Sequence, residues 1–268
     1  MSQQSKTPDV AQTSAASVDP EVSGQPGAPR QGGAGSAAGA LPDSVRQTSV
    51  YVYEAPLRLW HWTNALAILV LIVTGYFIGK PLPTVSGEAS DHFVMGYIRF
   101  AHFTAGYVLT IGFLFRFYWS LVGNHHAKQL FRLPLHRSEW WREVWFELRW
   151  YLFLEKRPRK YVGHNPLAQL AMFLFITLGT LFMIVTGMAL YAEGALRGSW
   201  QDSLFGWVIP LVGQSLDVHI LHRLGMWVMV VFIIIHVYVA IREDIMSRQS
   251  IVSTMISGER TFKDDEPF

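Results

Sequence analysis

Polar positions withdraw from this chain four times, each for more than twenty residues. The runs at 59–79, 100–122, 166–190 and 218–241 hold 21 to 25 residues each, and their only Lys, Arg, Asp or Glu side chains are Arg116 and Arg223. A helix rising 1.5 Å per residue needs about 20 residues to cross a hydrocarbon layer of about 30 Å. Each run therefore predicts a transmembrane helix, and the fold class is an all-α, integral membrane four-helix bundle. A fifth apolar stretch, 204–213, is too short to cross and is broken by Pro210; it is expected at the interface or under a partner. Residues 138–154 mix Trp140, Trp141, Trp145, Leu148, Trp150, Tyr151 and Leu152 with Glu139, Arg142, Glu143, Glu147 and Arg149. That mixture fits an amphipathic helix that lies on the membrane surface or packs against the bundle.

Residues 1–40 draw 29 positions from Ala, Gly, Ser, Pro and Gln, with no aromatic residue and no periodicity. Residues 1–49 are accordingly read as a disordered tail, 50–245 as the membrane domain and 246–268 as a second tail. Nothing before Leu59 is apolar enough for the core of a secretory signal, so the first run is expected to be an internal anchor.

Composition agrees with a membrane protein. Half the residues are hydrophobic and 16% are charged, against about 25% charged in a soluble domain. The chain has no cysteine, which excludes disulfides, thiolate zinc sites, iron–sulfur clusters held by this chain and covalently attached c-type haem. A net charge of +2, carried in blocks rather than one stripe, excludes a nucleic-acid binder. Lys and Arg number four up to Arg58, nine over 123–164 and four from Arg242 onward, but only three (Lys80, Arg99, Arg197) in the two remaining connections. The positive-inside bias then places both termini and the long middle loop in the cytoplasm.

Ten histidines are present, and His61, His102, His222 and His236 lie within the runs. Ionisable side chains inside a bilayer are expensive and usually functional, although a single one is as readily explained by an interhelical hydrogen bond. Fourteen residues on a helix advance about 21 Å and return to within roughly 40° of the same face. That interval separates His222 from His236 on the fourth run. In the four-span topology His61 lies at the depth of His236, near the inner surface, and His102 at the depth of His222, near the outer one. Two facing imidazoles in a bundle core provide what bis-histidine haem ligation needs. The same interval leads from His61 to Gly75, where a missing side chain admits a macrocycle, and from His102 to Arg116, placed to pair with haem propionates. Arg58 and Arg223 stand beside the inner and outer pairs; snorkelling is the plainer reading of Arg58. His219 lies three residues from His222, off the ligand face.

These elements carry a resemblance. The segments Tyr51 to Ala65 (YVYEAPLRLWHWTNA), Thr74 to Gly79 (TGYFIG), Gly96 to Phe103 (GYIRFAHF), Gly163 to Ala168 (GHNPLA), His219 to Trp227 (HILHRLGMW) and His236 to Tyr238 (HVY) look like the b-type cytochrome subunit of membrane-bound [NiFe] hydrogenases. Their order and spacing cover about 50–263, and the chain is also similar to the more distant dihaem cytochrome of formate dehydrogenase. The resemblance implies two b haems, a periplasmic partner made of a [NiFe] large subunit and an iron–sulfur small subunit with a C-terminal membrane helix, and electrons delivered to membrane quinone in a bacterial inner membrane. On this reading the chain is a non-catalytic subunit of a hydrogen:quinone oxidoreductase that itself carries the site of quinone reduction.

Two other readings stay open at this point. One is the equivalent subunit of a formate dehydrogenase or another cytochrome b. The other is a membrane anchor or proton-coupled transporter whose histidines relay protons or bond helices. Glu243, Asp244 and Arg242 close the fourth run, where proton delivery to quinone and ordinary solvation at a helix end are both expected roles.

Overall fold

The computed structural model describes residues 47–83, 86–88, 92–157, 159 and 161–263; the expected tail up to residue 46 lies outside them. In chain order the elements are β1 (Gln47–Tyr51), α1 (Ala55–Gly79), α2 (Val94–Val122), α3 (His125–Lys128), α4 (Ser138–Tyr151), α5 (Pro166–Ala171), a π-helical segment (Met172–Leu178), α6 (Gly179–Glu193), α7 (Trp200–Phe205), α8 (Val208–Val212), α9 (Ser215–Met246), α10 (Ile251–Ser257) and β2 (Glu259–Lys263). Four helices are long and apolar enough to cross a membrane: α1, α2, the continuous Pro166–Glu193 span and α9. Each contains one of the expected runs and extends it at one or both ends. Pro56 and Pro166 stand in the first turns of α1 and α5, where a missing N–H costs no hydrogen bond.

Within the most apolar window of each span only 11 to 17% of the residues are buried by the rest of the chain. Leu66, Leu69, Ile111, Leu114, Val231 and Ile234 point outward, as lipid-facing positions do, so the helices are held by narrow seams rather than one broad core. α1 packs along α2, α6 along α9, and the two pairs meet through α1 with α9 and α2 with α6. The stretch 204–213 contributes α8 and the end of α7, two short helices that bridge α6 and α9 with Leu204, Trp207 and Leu211 exposed.

The bundle has two unlike ends. At the sheet end, β1 and β2 pair antiparallel from Gln47↔Lys263 to Tyr51↔Glu259. Residues 246–268, which the hydrophobic pattern leaves as a tail, thus supply a helix and a strand over 251–263. Seven-residue and five-residue elements offer too few periods for pattern reading, and the strand exists only because a partner strand lies at the other terminus. Val52, Tyr53 and Leu57 form a small core there with Val50, Trp60 and Met255. Gly258 closes α10 in the left-handed region, φ 88°, and its carbonyl accepts from the Val52 and Tyr53 amides at 2.8 and 3.1 Å. A Cβ at that position would stand 2.7 Å from the Tyr53 carbonyl oxygen, so only glycine satisfies both the turn and the close approach. Trp62 Nε1 donates to the Met255 carbonyl at 3.0 Å, and Arg58 donates to that of Ile256.

The amphipathic segment folds as α4 and settles the choice between membrane surface and bundle packing for one of its faces. Trp140, Val144, Glu147 and Trp150 recur at helical spacing and are buried, with Trp140 Nε1 donating to Gln169 of α5 at 3.2 Å and Trp150 Nε1 to Glu243 of α9 at 2.8 Å. Trp141 and Trp145 remain exposed on the other face. Arg242 lies over the rings of Trp150, Tyr151 and Phe153, and Asp244 accepts from the Val252 amide of α10 at 2.9 Å. The charged residues that close the fourth run therefore clamp α4 and α10 in place.

Glu147 is 1% exposed, and its Oε1 has no hydrogen-bond partner among the described residues. Burial pushes its carboxyl from 4.5 up to about 7, opposed by Tyr161 and reinforced by Glu243 and Glu143. The docked chain thus holds this proton more tightly than the undocked one, so the packing of α4 is fully supported below pH about 4.5 and weakens as pH rises through about 7. In detergent, the thermal midpoint should fall more steeply between pH 5 and pH 8 for the wild type than for Glu147→Gln. Equal slopes would exclude Glu147 as the titrating group.

Candidate functional site

All four intramembrane histidines are half-buried and face the interior seams. At the loop end, opposite the sheet, His102 of α2 and His222 of α9 face each other with ring centroids 6.5 Å apart and planes crossed at 75°. Two metal–imidazole bonds of about 2 Å, with each ring centre about 1 Å beyond its nitrogen, span about 6 Å. The gap therefore suits one metal atom held axially between the two rings. His102 Nδ1 lies 2.9 Å from Thr74 Oγ1 of α1, and His222 Nδ1 lies 2.8 Å from Thr186 Oγ1 of α6.

Gly75 is level with this pair, as its spacing from His61 requires, and a Cβ there would stand 3.2 Å from His102 Cε1. The side chain that the missing Cβ admits is the His102 imidazole. Gly187 does the same for His222, whose Cε1 would be 3.1 Å from an added Cβ. Arg223 is exposed near the same end, with its Nη1 3.5 Å from the Gly79 carbonyl oxygen. His219 is exposed and turned back along α9, its Nδ1 3.0 Å from the Ser215 carbonyl oxygen, so it takes no part in the facing pair.

At the sheet end, His61 of α1 and His236 of α9 are both half-buried. His236 stacks on Phe232 at 5.8 Å, and Phe232 stacks in turn on Phe175 at 5.0 Å. Phe175 belongs to the π-helical segment, and such wide turns are frequent where a helix is reshaped around a functional site. Arg116 is 3% exposed. Its Nη2 donates to the Ala127 carbonyl of α3 at 2.6 Å, its guanidinium lies over the rings of Trp60 and Phe131, and its Nε and Nη1 have no hydrogen-bond partner among the described residues. Burying a guanidinium with unpaired donors is costly, and an anion beside those two nitrogens would offset it. Arg58, the other basic residue expected at this end, is committed on one side to Ile256. Among the described residues the buried Nε of Arg58 and Nδ1 of His61 have no hydrogen-bond partner.

The residues present fit a haem at each pair: facing imidazoles at axial separation at the loop end, and at the sheet end a buried cation with unpaired donors of the kind propionates satisfy. Three sets of residues at or beside these sites escape the spacing argument. Thr74 and Thr186 are weakly polar and vanish into apolar runs, yet both sit in an Ile-Val-Thr-Gly tetrapeptide, at 72–75 and 184–187, and that repeat was the available signal. His164, which spacing leaves without a role, is half-buried beside the sheet end with Nδ1 3.3 Å from the Tyr53 hydroxyl. Burial, then the cation of Arg260, pushes its imidazole down to about 3 and keeps it neutral. Arg260 braces the same corner by donating to the carbonyls of Tyr161 and Gly163 at 2.9 and 2.7 Å; it falls in the presumed tail and carried no sequence signal.

Known proteins are similar to this chain over most of its length. The chain is similar to the probable Ni/Fe-hydrogenase B-type cytochrome subunit of Azotobacter vinelandii, 69% identical over 222 residues that make up 83% of this chain and 92% of that one. It is 61% identical over 230 residues to the protein of the same description from Cupriavidus necator, covering 86% and 94%. The probable Ni/Fe-hydrogenase 1 B-type cytochrome subunit of Escherichia coli K12 is 52% identical over 219 residues, covering 80% and 92%. The sequence profile of prokaryotic cytochrome b561 matches residues 52–258, which take in all four spans, both histidine pairs and α10. With a match over most of its length, this chain belongs to the prokaryotic cytochrome b561 family.

Proposed function

We propose that this chain is the membrane-spanning electron-transfer subunit of a nickel–iron hydrogenase, which takes electrons from an iron–sulfur small subunit on the periplasmic face of a bacterial inner membrane and delivers them to quinone. The observation that carries this reading is the facing His102–His222 pair, 6.5 Å between ring centroids, in a chain whose curated relatives are described as hydrogenase cytochromes. A proton relay needs a hydrogen-bonded chain that runs on from the imidazoles, whereas each ring here is anchored from behind by one threonine and faces the other across a gap that suits one metal atom. The hydrogenase relatives also favour this donor over formate.

His102 and His222 hold the outer haem, with Gly75 providing room at the ring and Arg223 at its margin. His61 and His236 hold the inner one, where Arg116 and Arg58 offer donors to its propionates. Haem b bound at each pair supplies a one-electron iron couple. The chain's own contribution is to fix the two sites on one rigid helix, α9, fourteen residues and on the order of 20 Å apart, and to keep water out of the path between them. Hydrogen oxidised outside yields two protons and two electrons; quinone reduced beside the inner pair takes up two electrons and two protons from the cytoplasm. With both termini inside, the reaction separates charge.

Three outcomes are expected. His102→Ala in the assembled complex should abolish the spectrum of one haem while sparing the other, and His61→Ala should abolish the second; loss of one and the same haem in His61→Ala and His222→Ala would refute the pairing. His219→Ala should retain both haems, because its ring is turned to Ser215. Proteoliposomes holding the complex and quinone should build a potential on adding hydrogen, positive on the hydrogenase side. Quinone reduction without a potential would move the exit to the outer haem.

A further inference from the structure

The loop-end pair is built twice from one sequence device. Ile72-Val-Thr-Gly75 on α1 and Ile184-Val-Thr-Gly187 on α6 each present a threonine hydroxyl to the Nδ1 of a histidine on the neighbouring helix, at 2.9 and 2.8 Å. The glycine that follows lets the same ring lie against the backbone, at 3.2 and 3.1 Å from where a Cβ would be. The hydroxyl protons are accounted for. Thr74 Oγ1 lies 2.6 Å from the Val70 carbonyl oxygen and Thr186 Oγ1 lies 2.8 Å from that of Phe182; a carbonyl only accepts, so each hydroxyl spends its one proton there. What remains is oxygen lone pairs, and these accept from an imidazole only if Nδ1 carries the hydrogen. Both imidazoles are thereby held as Nδ1–H tautomers with the Nε2 lone pair free, the form that ligates a metal. Among the described residues the sheet-end pair shows no such device, and His61 Nδ1 has no hydrogen-bond partner.

We infer that Thr74 and Thr186 are positioning residues of the outer haem, which with Gly75 and Gly187 form matched seats that fix the tautomer, the ring rotation and the donor strength of His102 and His222. This rests on the bis-histidine reading above and extends it. A hydrogen bond from Nδ1–H to an oxygen makes the imidazole a stronger donor and favours ferric over ferrous iron, so removing it raises the midpoint potential. Replacing the hydroxyl by a methyl also strands a buried N–H, whereas serine keeps the acceptor.

The test is a redox titration of the purified complex, followed by optical and electron paramagnetic resonance spectra, for wild type, Thr74→Val, Thr186→Val and the two Ser variants. Each Val variant should shift the outer haem midpoint upward and change its low-spin ferric signal, the double Val variant should shift it further, and the inner haem should not move and so reports an intact bundle. Thr→Ser at either position should restore the wild-type potential and signal. An outer haem indistinguishable from wild type in the Val variants overturns the inference. So does a Ser variant that behaves like Val, because the methyl and not the hydroxyl would then be the contact that matters. If Val removes the outer haem altogether, recovery of the haem in Ser supports the seat and continued loss refutes it. A wild-type complex with no second haem would instead overturn the bis-histidine reading itself, so the two failures are distinguishable.

Discussion

The structure turns on how a histidine is kept usable inside hydrocarbon. An imidazole there has two nitrogens, and a metal ligand leaves only one of them to satisfy; the other must find an acceptor on protein, since no water is at hand. At the loop end that acceptor is a threonine whose own proton is returned to the carbonyl of the preceding turn. This costs no ionisable group and no loop, and it works from inside an unbroken helix. Because each acceptor sits on a different helix from its histidine, the two hydrogen bonds tie α1 to α2 and α6 to α9, the same two pairs that make the tightest seams of the bundle. Helix pairing and site geometry are therefore one feature. Hydrogen bonds of this kind are worth only about 1 kcal/mol each, but between spans whose windows are 11 to 17% buried by the chain itself they decide the rotation of each helix.

The four spans were legible because a bilayer imposes a length and a composition that nothing else in the chain imitates. The histidine arrangement was legible because α9 is one continuous helix, so a fourteen-residue interval translates directly into depth and face. Where pattern reading stopped, the reason was the same in each case: the signal lay in a contact and not in a period. Thr74 and Thr186 are ordinary in composition. Gly75 was found at the right depth, but its partner is an imidazole, which only the neighbouring helix reveals. β1, α10 and β2 are too short for periodicity and depend on each other across the whole length of the chain. Arg116 was singled out for its depth, whereas its carbonyl partner, Ala127, lies on a four-residue helix that no pattern marks.

The sheet end is organised by a different economy. Polar groups there are numerous and are absorbed by carbonyls of short helices and of the α4–α5 loop: Arg116 by Ala127, Arg58 by Ile256, Arg260 by Tyr161 and Gly163. Closing the end with a strand pair and two short helices brings those carbonyls to the arginines, so the terminal segments serve the site as much as the fold. Tyr53 and His164 share the corner, and His164 stays neutral there under the cation of Arg260. A positive charge added by His164 would repel both Arg260 and Arg116, and its low proton affinity removes that penalty.

The contrast between the ends bears on the direction of electron flow. Donor imidazoles hydrogen-bonded through Nδ1 favour oxidised iron, and both loop-end imidazoles are so bonded. At the sheet end His61 Nδ1 lacks an acceptor and the guanidinium of Arg116 is buried without a carboxylate among the described residues. A buried cation stabilises an added electron nearby, and it does so more strongly in low dielectric than in water. Both effects lower the potential of the outer site relative to the inner one. On the proposed function, an electron entering at the loop end would run downhill toward the sheet end, the direction that hydrogen oxidation outside and quinone reduction near the cytoplasm would require. A propionate at Arg116 would offset part of the cation, but the ligand asymmetry at Nδ1 would remain, because among the described residues the threonine–imidazole contacts are made at the loop end.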